Sequence, residues 1–214
     1  MRALLIVPPG DRGAYAEALA SGADAVVADA ATAMAAPAGG PALFVRLPPL
    51  DDPAALDALK AAAALRPRGM ALATTGGADV QRLGARLAVE EAALGLPDGA
   101  LRVLAFATES PAAIFGLASY RGASPRLAGL VWSVSPLDAA LGATSRRGGP
   151  FRLARDMALL AAKAAGVLAI DAAFVDAGDL DGLREEALAA RADGFDAKAA
   201  VRAGQVEVIG RAFG

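Results

Sequence analysis

Three charged residues stand where buried strands are predicted to end. Asp29 follows the apolar run Ala25–Ala28, Arg46 lies within FVRLPP, and Glu109 lies within AFATES. In an α/β barrel the carboxyl ends of the strands carry the chemistry. Because an unpaired buried guanidinium is costly, Arg46 is predicted to pair with a nearby carboxylate. These three side chains are the first candidates for a site.

Each candidate also has a structural interpretation. Arg46 points either into the barrel mouth or outward at the rim, where it would form a strand-end salt bridge. Glu109 precedes Ser110 and Pro111, and such a Glu-Ser-Pro stretch is typical of a helix start, where an acidic residue favours the positive end of the helix dipole. Asp29 is followed only by Ala30, Ala31 and Thr32, which offer little chemistry.

The absence of histidine and cysteine restricts the kinds of catalytic and metal site that the chain can form. The chain contains neither histidine nor cysteine, which excludes a zinc site of the usual kind, a Ser-His-Asp triad and a disulfide. Carboxylates, arginines, lysines, hydroxyls and backbone amides remain. A Schiff base would need Lys60, Lys163 or Lys198, the only lysines, in the mouth. Lys198 is predicted near the start of the eighth strand, at the opposite end, which disfavours this chemistry.

Composition indicates a single globular domain over residues 1–214. The chain is 56% hydrophobic with a net charge of −2, and its basic clusters Arg66–Arg68 and Arg146–Arg147 are too short to indicate nucleic-acid binding. No apolar run reaches the roughly 18 residues that a membrane span needs. The opening MRALLIVPPG is interpreted as a first strand rather than a signal peptide, so we expect a cytoplasmic protein.

Eight continuous apolar runs alternate with alanine-rich helical stretches. Such runs are typical of parallel strands that are buried on both faces, and their alternation with helices predicts a (β/α)8 TIM barrel. An open doubly wound sheet is the alternative, but no G-x-G-x-x-G or P-loop follows the first strand. The predicted strands are Ala3–Val7, Ala25–Ala28, Ala42–Leu47, Gly69–Thr74, Leu101–Thr108, Leu127–Val134, Ala169–Asp176 and Ala197–Ala203.

The connection between the second and third strands is unusually short. Only ATAMAAPAGGP lies there, whereas a parallel crossover needs about a dozen residues and usually a helix. The barrel is therefore predicted to lack a helix at this point. We expect an exposed apolar side there, covered by a neighbouring subunit in a homo-oligomer.

Five stretches, in order, resemble the citrate lyase beta subunit-like branch of the HpcH/HpaI aldolase and citrate lyase family. The last is the most specific, because A-I-D, D, G-L and G-F-D-x-K recur in it at the family's spacing. The five stretches are LIVPPGDRGAYAEALASGADAVVAD, LFVRLPPLDDP, ATESPAAIFGLAS, LAGLVWSVSPLDAALGATSRR and GVLAIDAAFVDAGDLDGLREEALAARADGFDAKAAV.

The resemblance implies a TIM barrel that assembles as a trimer or hexamer. It also implies a Mg²⁺-dependent carbon–carbon lyase or hydrolase of small oxo or hydroxy acids and their CoA thioesters. Arg46 matches the family's substrate-binding arginine and Glu109 its glutamate metal ligand. Asp29 matches the one acid that remains of the family's D-L-E-D, and is a candidate for substrate binding.

The chain departs from the family's pattern at the second metal ligand. The family's G-x-E-D-L aligns with Ser133–Leu137, which puts Pro136 at the position of the metal aspartate. Asp138 could substitute if the loop were rebuilt, or it could cap the following short helix. One glutamate with carbonyl groups makes a poor Mg²⁺ site.

Further departures fall at other strand ends. The family's P-K after the fourth strand is Ala73–Thr74 here, and its I-H-P-x-Q is Val201–Gln205, with only Gln205 kept. Asp171 and Asp176 persist, although an Asp near a strand end also serves as a turn or cap residue.

Two hypotheses from different classes follow. The first is a lyase or aldolase of the family, with Arg46 and Glu109 as the surviving catalytic residues and Mg²⁺ as cofactor. The second is a non-catalytic barrel that binds a carboxylate, an acyl ligand or a partner protein.

Overall fold

The chain forms a closed barrel of eight parallel strands in which each strand pairs with its sequence neighbours and β8 pairs with β1. The computed structural model describes residues 1–143, 148–174, 176 and 178–214. The predicted (β/α)8 fold is confirmed. The strands are β1 Ala3–Ile6, β2 Ala25–Asp29, β3 Ala42–Arg46, β4 Gly69–Ala73, β5 Arg102–Phe106, β6 Leu127–Val131, β7 Leu168–Asp171 and β8 Ala197–Ala200.

Helices surround the barrel, and a 3₁₀ turn over Leu117–Tyr120 extends α4. None of the helices in the described part of the chain is long and apolar enough to cross a membrane. The helices are α1 Arg12–Ala20, α2 Ala55–Ala64, α3 Gly77–Leu94, α4 Pro111–Gly116, α5 Ser135–Leu141, α6 Gly149–Ala165, α7 Leu180–Asp193 and α8 Ala203–Ala212.

The strands bury both faces, as their continuous apolar runs predict. Alternate residues such as Leu4, Val27 and Phe106 fill the barrel interior, while Leu5 and Val26 pack into the layer between strands and helices. This alternation of period two decides which side chains reach the mouth.

The predicted strands run too far at their carboxyl ends. β6 ends at Val131 rather than Val134, β7 at Asp171 rather than Asp176, and β8 at Ala200 rather than Ala203. The apolar character continues past each strand because the following loop also packs on the core, as Trp132 does. Periodicity alone therefore cannot mark where strand pairing stops.

The connection between β2 and β3 contains no helix, as predicted, but the expected exposed apolar side is wrong. The outward residues Val26 and Ala28 of β2 are fully buried. The connection itself covers them, since Ala33 and Ala36 pack on the core and the buried Tyr15 of α1 donates a hydrogen bond from its hydroxyl to the Met34 carbonyl at 2.5 Å. The connection therefore buries the outward face of β2, while Met34 within the connection is 51% exposed.

Candidate functional site at the barrel mouth

Arg46 and Glu109 form an ion pair at the barrel mouth. Nη2 of Arg46 donates to Oε2 of Glu109 at 2.7 Å, and the two side chains are 29% and 16% exposed. The guanidinium carbon also lies 4.1 Å from the centroid of the Phe106 ring, within the range of a cation–π contact. The prediction that Arg46 pairs with a nearby carboxylate is confirmed.

The strand pattern explains why these side chains meet. Phe44 and Phe106 belong to the barrel interior, and Arg46 lies two residues beyond Phe44 on the same face of β3. Glu109 follows β5 and directly precedes Ser110, whose hydroxyl accepts a hydrogen bond from the Ala113 amide and caps α4. The helix-start interpretation is thus correct for Ser110, while Glu109 turns to the arginine.

The guanidinium has hydrogen-bonding capacity to spare. Arginine has five N–H donors, and within the described residues Glu109 is the only acceptor that Arg46 contacts. Because the side chain is partly exposed, a small carboxylate can approach the remaining donors. Phe106 supports one face of the guanidinium plane, which limits the directions from which the ligand can bind.

Asp29 lies beside Arg46 in the paired strands β2 and β3. Its carboxylate, however, accepts hydrogen bonds from the loops that follow β1 and β2. It accepts hydrogen bonds from the amides of Gly10, Ala31 and Thr32 at 2.8–2.9 Å and from the Thr32 hydroxyl at 3.1 Å. Burial opposes ionisation of this carboxyl, but these hydrogen bonds outweigh burial and lower the pKa of Asp29. No ion pair joins Asp29 to Arg46 among the described residues, so its position favours a structural role.

Pro136, which the family resemblance aligns with the second metal ligand, is exposed in the first turn of α5. The prediction that Asp138 caps this helix is wrong: the N-cap is Val134, and Asp138 lies inside the first turn. The helix starts earlier than expected because Pro136 suits its first turn.

The donor set does not fit a Mg²⁺ site. Mg²⁺ prefers several oxygen ligands, usually including one or two carboxylates, and Pro136 has no side-chain donor. Within the ranges that the structure describes, no three His, Cys, Asp or Glu residues lie close enough to hold a metal ion. Glu109 is bound to Arg46 and Asp29 to its loops.

Two threonine hydroxyls near the strand ends make hydrogen bonds that were not predicted from the sequence. Thr108, fully buried, accepts a hydrogen bond from the Ser133 amide at 2.8 Å and donates to the Ser133 carbonyl at 3.3 Å, which joins the ends of β5 and β6. Thr74 and Tyr120 share a hydrogen bond of 2.6 Å. Burial raises the pKa of Tyr120 to about 12, so this pair is neutral and structural.

The remaining candidates, Asp171, Asp176 and Gln205, each make contacts of a structural kind. Asp171 is buried in the layer outside the barrel, where it pairs with Lys198 and Arg155. Asp176 is exposed and accepts a hydrogen bond from the Gly178 amide, as a turn residue does. Gln205 is buried and bonds the Val201 amide and the Phe174 carbonyl, which ties the loop after β7 to α8.

The sequence profile of the HpcH/HpaI aldolase/citrate lyase family matches residues 14–203 of the chain. The chain therefore belongs to this family. A citrate lyase subunit beta-like protein of Mycobacterium tuberculosis is 40% identical over 91 residues, which is 40% of this chain and 33% of that protein. The matched segment thus spans about a third of the curated relative.

Solved structures share the whole fold. RipC from Yersinia pestis superposes with a TM-score of 0.78 at 26% identity, covering 100% of this chain and 95% of RipC. The CitE protein of M. tuberculosis in complex with magnesium and acetoacetate has a TM-score of 0.75 at 27% identity, covering 99% and 90%. The citrate lyase beta subunit of the same organism, complexed with oxaloacetate and magnesium, has a TM-score of 0.75 at 26% identity, covering 98% and 96%.

Proposed function

We propose that this protein binds a small oxo or hydroxy acid, or the acyl part of its CoA thioester, at the barrel mouth through Arg46. We further propose that it has lost the Mg²⁺-dependent carbon–carbon lyase activity of its family. The observation that carries this proposal is the Arg46–Glu109 pair over Phe106, in which a partly exposed cation has donors to spare. The described residues around it form no cluster of three metal-ligating side chains.

The ligand class is supported by the related structures. The M. tuberculosis proteins were crystallised with acetoacetate and oxaloacetate, and Arg46 lies on the same barrel fold with its guanidinium in the mouth. A carboxylate paired with a guanidinium forms two parallel charge-assisted hydrogen bonds, which fixes the orientation of a planar acid. The oxo or hydroxy group would then lie towards the centre of the mouth.

Glu109 has a defined role in this proposal. It neutralises Arg46 in the free protein and holds the guanidinium over Phe106, so that the cation is oriented before the ligand arrives. The same carboxylate competes with the ligand for the arginine, and its negative charge repels an anionic ligand. Affinity therefore depends on the balance between these two effects.

The second candidate is the family's Mg²⁺-dependent lyase. It is favoured by Glu109, which follows β5 and which the family resemblance aligns with the glutamate metal ligand. It would require a cation bound through Glu109 with help from Asp29 or Asp138, which are the other acids named for this mouth.

Calorimetry separates the two candidates. Oxaloacetate, pyruvate and acetyl-CoA are titrated into the native chain with and without Mg²⁺ or Mn²⁺, and into Arg46→Gln and Glu109→Gln. We expect oxaloacetate to bind without metal, binding to vanish in Arg46→Gln, and the affinity to rise in Glu109→Gln. Metal binding that disappears in Glu109→Gln, with oxaloacetate cleavage in the native chain, would instead establish the lyase.

We also propose that the protein is a cytoplasmic homo-oligomer, a trimer or hexamer as the family resemblance implies. Sedimentation velocity tests the assembly, and a monomer at micromolar concentration would contradict it.

A further inference from the structure

A cavity of about 630 Å³ lies outside the barrel, between α6 and α7. Its volume falls within the range of small-molecule sites, about 300–1,000 Å³. None of the mouth residues Arg46, Phe106 and Glu109 lines it. From this cavity we infer a second binding site, distinct from the mouth, for a carboxylate that carries an apolar body.

The cavity exists because the side chains around it are small. Ala172 and Ala173 follow β7, and Ala189 faces the cavity from α7, where larger residues would close the space. Larger apolar side chains form one part of the wall, where Trp132 and Phe151 are buried and Phe174 is partly buried; charged side chains form another part. The interior therefore suits an aromatic or branched apolar group.

A fixed ion network holds the floor and one edge of the cavity. Lys198 is completely buried, and its ammonium donates to Asp171 at 2.9 Å, to Glu186 at 2.6 Å and to the Ala172 carbonyl at 2.7 Å. Arg155 donates to Asp171 at 2.9 Å and to Asp193 at 2.7 Å. Since an ammonium has three donors, Lys198 has none left for a ligand.

Arg152 supplies the charge that selects the ligand. It lines the cavity from α6, and it makes no hydrogen bond or ion pair with any of the described residues. The neighbouring Arg155 is fixed by its two acids and stacks on Phe195 at 4.6 Å. Among the described residues that line the cavity, Arg152 is thus the cation with all its donors available. It favours a carboxylate whose apolar body lies against Trp132 and Phe151.

Trp132 makes the site directly observable, because it is the only tryptophan of the chain. The probe is 3-phenylpropanoate, titrated into the full chain with tryptophan emission excited near 295 nm, and its neutral amide is the matched comparison. We expect saturable quenching by the acid and about tenfold weaker binding of the amide, the factor that about 1.4 kcal/mol of a charge-assisted hydrogen bond gives.

Two variants locate the binding. Ala189→Leu fills the cavity, and Ala192→Leu, an exposed position of α7 outside it, is the control. Arg152→Gln removes the cation, and Arg184→Gln is the control on α7. We expect each cavity variant to weaken binding about tenfold or more, each control to bind normally, and Arg46→Gln to leave the quenching unchanged.

Three results would overturn the inference: no saturable quenching, quenching that survives both cavity variants, or quenching that is lost only in Arg46→Gln. Circular dichroism and the unfolding midpoint of each variant verify that the barrel is intact. Should Ala189→Leu fail to fold, Arg152→Gln and the amide comparison still decide the outcome.

Discussion

Two groups of charges at strand ends behave differently in this barrel. The mouth pair, Arg46 with Glu109, is partly exposed and joined by a single hydrogen bond. The β7–β8 network is formed by Arg155, Asp171, Lys198, Glu186 and Asp193, and in it the buried ammonium of Lys198 uses all its donors.

The difference shows how to separate structural charges from ligand-binding ones. A saturated and buried network stabilises the fold, and breaking it leaves an uncompensated charge. A partly exposed cation with free donors contributes little to stability but can bind an anion. Residue type alone does not distinguish them, since each group pairs a carboxylate with a cation.

The largest expected effect comes from Lys198→Met, which removes the centre of the β7–β8 network. Asp171, 3% exposed in its side chain, would keep only Arg155 as a charged partner. We expect a loss of about 3 kcal/mol in the free energy of unfolding, measured by urea denaturation. A loss below about 0.5 kcal/mol would mean that the network is not structural and would remove the contrast with the mouth pair.

The buried ion pair of Glu91 with Arg126 extends this comparison, because its contribution to the free energy of unfolding depends on pH. Glu91 is buried in α3 and accepts hydrogen bonds from the guanidinium of Arg126 and from the amides of Leu101 and Gly99. Burial opposes its ionisation, but Arg126 and the two amides outweigh burial and lower the pKa of Glu91.

The sign of the pH dependence follows from this lowered pKa. The stability that ionised Glu91 contributes is present above the ordinary carboxyl pKa of about 4.3 and is lost as the pH falls through the lower folded value. We expect Glu91→Gln to lose about 2 kcal/mol at pH 7 and less below pH 4, measured by urea unfolding across pH. An equal loss at both pH values would contradict this account. Glu90→Gln, an adjacent α3 substitution, is the control.

The mouth pair is expected to couple weakly. A double-mutant cycle on Arg46→Gln and Glu109→Gln should give an interaction of about 1 kcal/mol or less in unfolding free energy, because both side chains are partly exposed. A coupling of about 3 kcal/mol would place this pair with the structural networks and would argue against its role in ligand binding.

The smallest effect is expected at the edge of the β7–β8 network. Asp193 is half exposed where it meets Arg155, so Asp193→Asn should change the unfolding free energy by less than about 0.5 kcal/mol. The difference between this loss and that of Lys198→Met then measures how much burial adds to the contribution of a charge to the unfolding free energy within one network. A loss as large as that of Lys198→Met would refute the dependence on burial.

Sequence reasoning found the fold and named Arg46 and Glu109 as candidates, but it did not find that they pair with each other or what surrounds the other acids. In the sequence, Asp171 is a residue kept from the family's pattern and Lys198 is a lysine unsuited to a Schiff base, whereas the structure joins them in one network. Phe106 was missed as a mouth residue, although period-two alternation along β5 could have indicated it. The cavity beside Arg152 left no signal, because alanines that line a space look the same in sequence as alanines that pack.

The sequence by itself determined the eight-stranded barrel, the missing helix between β2 and β3, the lack of a side-chain donor at Pro136 and the need of Arg46 for a carboxylate. These follow from periodicity, chain length and the chemistry of single residues, which are local properties. Only the tertiary structure decided that Glu109 is that carboxylate, that Asp29 serves its own loops and that β2 stays covered. Each of these depends on which groups meet across distant strands, and that pairing is set by the closed packing of the whole barrel.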